Sequence, residues 1–144
     1  MHSLEKMKVL VVEDNPNDVT IIKRAMRKSD VKCELSFARD GEEALDALAQ
    51  SGEFEDTPRP DLILLDINLP KINGLEVLAK IKADERLRRI PVIVLTISER
   101  EEDMVKAYDS GAASYMTKPV DSKDFERLIQ TVQDYWKIAR IAPE

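Results

Sequence analysis

Apolar residues come in short unbroken runs along this chain, each closed by a polar side chain and followed by a segment of helical spacing. Lys8-Val9-Leu10-Val11-Val12 ends in Glu13-Asp14-Asn15-Pro16, Leu62-Ile63-Leu64-Leu65 ends in Asp66, and Pro91 to Leu95 ends in Thr96. Aliphatic runs this short, with no polar face, suit strands buried on both sides of a parallel sheet. Pro60 and Pro70 bracket the middle run, since neither donates a ladder hydrogen bond inside a central strand. Cys33 to Ala38 predicts a shorter strand, and Ser114-Tyr115-Met116-Thr117-Lys118 a last one that stops at Pro119.

The intervening segments predict helices. Asn15 caps one that opens with Pro16 and repeats Val19, Ile22, Ala25 and Met26 until Lys28-Ser29. Asp40-Gly41 opens a second, with Ala44, Leu45 and Leu48 on one face, and Gly52 to Pro60 is expected to be a surface loop. Lys71-Ile72-Asn73-Gly74 is turn chemistry, in which Gly74 is expected to permit a backbone other residues resist. The helix after it is predicted to bury Leu75, Leu78, Ala79 and Ile81. Ser98 and Glu101 form a capping box for a helix reaching Ser110, with Gly111 as its C′ residue. The final helix begins near Ser122 and groups Phe125, Leu128, Val132 and Tyr135. Five alternations of strand and helix predict an α/β fold: a five-stranded parallel sheet with helices on both faces and right-handed crossovers. One domain spanning 1–144 is expected, with a core over 7–136 and a helical extension over 137–144.

Composition narrows the chemistry. The net charge of −6 argues against non-specific nucleic-acid binding. A single cysteine, Cys33, excludes a disulfide framework and a cysteine zinc site, and reads as a small strand residue. His2 is the only histidine, so no catalytic histidine dyad is available. No apolar run approaches the ~20 residues of a membrane span, and the first residues lack a signal-peptide pattern, so a cytoplasmic protein is expected.

Strand ends of one polarity share one rim of a parallel sheet, the rim where open α/β sheets place ligand sites. Glu13 and Asp14, Asp66, Thr96 and Lys118 close four strands there. Gathered carboxylates repel, at a cost of about 4 kcal/mol for two unit charges ~4 Å apart at an effective dielectric of 20. An all-oxygen donor set favours a hard cation, Mg²⁺ over zinc. Lys118 adds a point charge for an anion and Thr96 a hydroxyl, so the set suits a phosphoryl group transferred onto the carboxylate of Asp66. Taken singly, each residue has an ordinary reading: Asp66 as a turn cap, Glu13-Asp14 as a solvated helix start, Thr96 as a backbone partner, Lys118 as a surface lysine.

Together these residues resemble the receiver domain of two-component response regulators, over about Lys8 to Trp136. Val11-Val12-Glu13-Asp14-Asn15 matches the family's acidic pair, Asp66 with Leu69-Pro70 and Asn73-Gly74 its phosphoacceptor motif, and Thr96 and Lys118-Pro119 its remaining signature positions. Within the family the chain is similar to stand-alone receivers that accompany bacterial phytochrome-type and related sensor kinases. Arg59 to Ile63, Ile90 to Thr96 and Tyr135-Trp136 carry that narrower likeness. The resemblance implies the flavodoxin-like strand order 2-1-3-4-5. It further implies that Asp66 accepts phosphate from a phosphohistidine on a sensor histidine kinase or histidine phosphotransfer protein. Glu13, Asp14, Asp66 and the backbone carbonyl of Asn68 would hold Mg²⁺. Lys118 would pair with the phosphoryl group, Thr96 would bond it on activation, and Tyr115 would turn inward as Thr96 moves. The Lys118–Pro119 bond is expected to be cis. Ile97 departs from the pattern, because the residue after Thr96 is usually small; it either crowds the site or packs under the next helix.

Two other readings compete. A phosphohydrolase of the haloacid-dehalogenase type also uses a strand-end Asp, a Ser or Thr, a Lys and Mg²⁺, but needs a second acid where Asn68 stands. A flavin-binding domain of similar topology would need a Ser/Thr/Gly-rich phosphate loop after the first strand. The chain shows no DNA-binding segment, so the signal is expected to leave through protein contacts. Apolar residues continuing through Tyr135, Trp136, Ile138, Ala139 and Ile141 predict a homodimer through the last strand and helix.

Overall fold

A computed structural model describes residues 6–28, 33–118 and 122–139, apart from the side chains of 122, 132, 133 and 135–139. The elements are β1 (Met7–Val12), α1 (Pro16–Lys28), β2 (Cys33–Ala38), α2 (Gly41–Ala49), β3 (Leu62–Leu65), α3 (Gly74–Ala83), β4 (Val92–Thr96), α4 (Glu101–Asp109), β5 (Ser114–Thr117) and α5 (Ser122–Ala139). The strands form one sheet in the order β2-β1-β3-β4-β5, and every neighbouring pair is parallel. The order follows from composition. The aliphatic β3, and β4 with Thr96 as its one polar residue, are buried along their whole length, whereas the mixed β2 and β5 take the half-buried edges.

Alternation along the strands splits the core in two. Leu10, Val12, Ile63, Leu65, Val92 and Val94 face one side, where Ala44 and Leu48 of α2, Val77, Leu78 and Ile81 of α3, and Ala107 of α4 cover them. Val9, Val11, Leu62, Leu64, Ile93 and Leu95 face the other, against Ile22, Ala25 and Met26 of α1 and Phe125 and Ile129 of α5. Burying each Leu or Ile of β3 contributes about 1.5–3 kcal/mol. The rigid plate that results fixes where its carboxyl rim projects.

Four local expectations need correction. The buried stripe of α3 is Gly74, Val77, Leu78 and Ile81, while Ala79 is exposed, a half-turn from that stripe. Ser98 does not cap α4: the N-cap is Arg100, without a side-chain bond, and the Ser98 hydroxyl instead donates to Asp103 Oδ2 at 2.5 Å. Gly74 is required by space and not by conformation. A Cβ there would stand 2.3 Å from the carbonyl oxygen of Asp66 and 2.4 Å from the Ile67 Cα, whereas the positive φ of this turn, 67°, belongs to Lys71. The Gly52–Pro60 loop contains a short 3-10 turn, Gly52–Phe54. Gly111 does follow α4 with φ +102°, and its N–H donates to the Tyr108 carbonyl. The cis bond expected before Pro119 lies outside the described residues, as do the side chains of Val132, Tyr135, Trp136 and Ile138 and all of Ile141.

Candidate functional site

The sheet's hydrogen bonding continues one residue past its strands and so fixes the residues that matter. Glu13 N–H donates to Ala38 O at 2.9 Å, Asp66 N–H to Val12 O at 3.0 Å, and Lys118 N–H to Thr96 O at 2.7 Å. Glu13, Asp66 and Thr96 are buried at the rim, and Asp14 is exposed beside them. One carboxylate oxygen from each of Glu13, Asp14 and Asp66 lies within 4.8 Å of the others. Burial would lower the Lys118 ammonium, but hydrogen bonds to Glu13 and Asp18 and the charge of Asp66 outweigh it and hold it above its ordinary range. Lys118 Nζ donates to Glu13 Oε1 in a short contact, to Asp18 Oδ2 at 2.9 Å and to Asp66 Oδ2 at 3.0 Å.

Three carboxylates, those of Glu13, Asp18 and Asp66, thus meet one ammonium, with Asp14 beside them in the acidic trio. Glu13 is held up at about 7: burial raises it most, its bonds to Lys118 and to the Asn15 N–H offset this only in part, and the neighbouring charge of Asp66 raises it further. Oxygen donors with surplus negative charge suit a divalent cation, and the trio Glu13, Asp14 and Asp66 has the spacing to hold one.

The opposite wall is built from β4 and the turn after β3. Asn68 N–H donates to Asp66 Oδ1 and its side-chain amide to Thr96 Oγ1, both at 2.9 Å. Thr96 Oγ1 also accepts a longer bond from Ser98 N–H, 3.4 Å. Tyr115 is half-buried against the α2–α4 side of the core; its hydroxyl donates to the Ser98 carbonyl at 2.9 Å, and its N–H to the Tyr108 hydroxyl at 3.2 Å. An open cleft of about 480 Å³ lies above Asp66, lined by Asp14, Asp18, Asn68, Ile97 and Lys118 among others. Ile97 is 68 % exposed, so it forms a wall of this cleft and does not pack under α4.

The rim therefore brings together Glu13, Asp14, Asp66, Asn68, Thr96 and Lys118 as the sequence predicts, and places Tyr115 one hydrogen bond from the loop after Thr96. Sequence reading misses Asp18, an acid in the first turn of α1 that reaches Lys118. Its one signal was position: the amino end of α1 must lie on the same rim as the strand ends. Among the described residues no helix is long and apolar enough to cross a membrane.

Comparison with known proteins gives concordant results. The response regulator receiver domain family matches residues 9–132. Response regulator Rcp1 of Synechocystis is 43% identical over 128 residues, covering 89% of this chain and 87% of that one. The crystal structure of the phosphorylated cyanobacterial phytochrome response regulator RcpA superposes with a TM-score of 0.83 at 41% identity, covering 97% of this chain and all of that one. The Mn²⁺-bound form of Rcp1 gives a TM-score of 0.81 at 40% identity, covering 96% of this chain and 99% of that one.

Proposed function

The chain belongs to the response regulator receiver family, and we propose that Asp66 is its phosphoacceptor, with Mg²⁺ as the bound cation and a phosphohistidine as the donor. The observation that carries the reading is the surroundings of one carboxylate. Asp66 closes the most buried strand, belongs to the acidic trio, meets Lys118 at 3.0 Å and opens onto the cleft.

An Asp66 carboxylate oxygen attacks phosphorus as the phosphorus–nitrogen bond of the donor breaks, and the electron pair returns to the imidazole. Asn68 N–H holds the other carboxylate oxygen, leaving Oδ2, the one facing Lys118, as the nucleophile. Lys118, which meets Asp66 at 3.0 Å, and the Thr96 hydroxyl at the end of the neighbouring strand would donate to phosphoryl oxygens. Mg²⁺, held by Glu13, Asp14, Asp66 and the carbonyl of Asn68, would supply charge neutralisation. Loss of the phosphoryl group to water, which ends the signal, uses the same cleft past Ile97. The donor is a sensor histidine kinase or a histidine phosphotransfer protein. The relation to the phytochrome response regulators favours a kinase of that type.

Asn68 weighs against the phosphohydrolase alternative: it stands where a second acid would be needed, and its amide is engaged by Thr96. A homodimer through the last strand and helix belongs to the same proposal, supported by exposed Met104, Val105 and Tyr108 on the neighbouring α4. The test is incubation with acetyl phosphate and Mg²⁺ followed by intact-mass spectrometry. One added phosphoryl group is expected, and none in Asp66→Asn; undiminished labelling of the variant rejects the assignment. Sustained release of phosphate from small esters would favour the hydrolase.

A further inference from the structure

Three N–H bonds of Lys118 meet three carboxylates, and those carboxylates are not equivalent. Side-chain exposure is 3 % for Glu13 and 7 % for Asp66, but 26 % for Asp18. Glu13 and Asp66 lie at the floor of the site and belong to the acidic trio, so a bound cation draws on both. Asp18 stands outside the trio, on α1, and lines the cleft through which a donor must arrive. It is therefore the partner of Lys118 that remains when the cation is bound, and it lies on the side from which the phosphoryl oxygens come.

An ammonium has three donors and no acceptor, so a fourth oxygen can bond it only by displacing one of the three present. We infer that Asp18 is a positioning residue that holds the Lys118 ammonium toward the mouth of the cleft and competes with the incoming phosphoryl group for it. Through that competition Asp18 limits how readily small anionic donors phosphorylate the protein. This rests on the proposed role of Asp66 as acceptor. The ordinary alternative is that Asp18 merely complements the amino-terminal dipole of α1. That need is already partly met, because the side chain of Asn15 accepts from Asn17 N–H at 2.9 Å and from Asp18 N–H at 3.3 Å.

The experiment compares wild type, Asp18→Asn and Asp66→Asn, each with Mg²⁺. Two quantities are read: the initial rate of labelling by acetyl phosphate, and the affinity for beryllofluoride, a phosphoryl mimic, by calorimetry. Asp18→Asn should label roughly fivefold faster and bind beryllofluoride tighter by a similar factor, the scale set by one partly exposed ion pair. Both gains should shrink at high salt, as expected for a charge removed beside an anion site. Labelling at or below the wild-type rate, or unchanged beryllofluoride affinity, overturns the inference while leaving Asp66 as acceptor. Equal labelling of Asp66→Asn and wild type overturns the acceptor reading itself. Asp18→Ser provides the same measurement should the Asn variant fail to fold.

Discussion

Replacing Asp66 with Asn should make the metal-free protein more stable, not less. The attraction lost is that of Lys118 Nζ at 3.0 Å, about 5.5 kcal/mol at an effective dielectric of 20. Against it stands repulsion from Glu13, whose oxygen lies no more than 4.8 Å away, at least ~3.5 kcal/mol on the same footing. Asp14 adds a screened contribution of the same sign. Asp66 is also only 6 % exposed, and desolvating an ionised carboxylate costs several kcal/mol that an amide avoids. The amide keeps an oxygen to accept from Asn68 N–H. The balance favours Asn by about 1–2 kcal/mol, or roughly 3–6 °C in Tm for a domain of this size. The assay is thermal unfolding in EDTA at pH 8 and low salt. Glu13 titrates near 7 in the folded chain against an ordinary 4.5, so the folded state binds its proton more tightly between those values. Stability contributed by that proton is complete at low pH and is lost as pH rises through 7. The advantage of Asp66→Asn should therefore be full at pH 8 and shrink by pH 5.5. Saturating Mg²⁺ should reverse it, since a ligand at a hundred times its Kd adds about 2.7 kcal/mol to the protein that binds it. An Asn variant that melts below wild type at pH 8 without metal would refute the charge accounting.

Mg²⁺ affinity should rise with pH up to about 7, changing by about tenfold per unit below that value, because binding displaces the proton of Glu13. Calorimetry in buffers of different ionisation enthalpy should register the released proton; an affinity constant from pH 5.5 to 8 would contradict this. Ile97→Ala should quicken both phosphorylation by acetyl phosphate and loss of the label, each roughly threefold to tenfold, equivalent to about 1 kcal/mol of barrier. Unchanged rates would show that the Ile97 wall does not obstruct access. Gly74→Ala should cost roughly 1–3 kcal/mol in urea unfolding and weaken Mg²⁺ binding, because the added carbon stands 2.3 Å from the Asp66 carbonyl oxygen and must displace it. A variant as stable as wild type would show that the turn yields easily.

Much of this site is legible in the sequence because strands carry it. Glu13, Asp66 and Thr96 each end an aliphatic run, and a parallel sheet sends all such ends to one rim. Asp18 is hidden for the complementary reason. It sits in a polar stretch, Asn15 to Asp18, where an acid in the first turn of a helix has a sufficient local explanation. Only the placement of Lys118, 100 residues away in the chain, gives it a partner. Ser98 is misread because the capping template fits residues 98–101, while the loop after β4 takes two more residues before α4 begins. Gly74 is recognisable as special, but its reason is a close approach between the start of α3 and the backbone just after β3, which local sequence does not contain. Ala79 is small enough to look apolar at any position, and its helix settles on Val77 instead.

The hydrogen bonding of Thr96 has a consequence for the entropy of signalling. A hydroxyl carries two lone pairs and one hydrogen. Both lone pairs of this one are engaged, by the Asn68 amide at 2.9 Å and more weakly by Ser98 N–H at 3.4 Å. The remaining valence is the proton, so the torsion that decides where it points is already restricted in the resting protein. Under the proposed role of Asp66, an arriving phosphoryl oxygen would meet a donor whose rotational freedom was given up during folding and not at the moment of the signal. The ordering such a switch would need is thus charged to the stability of the resting fold. A valine at 96 would keep the shape of the side chain but leave the Asn68 amide without its acceptor, loosening the very turn that holds Asp66.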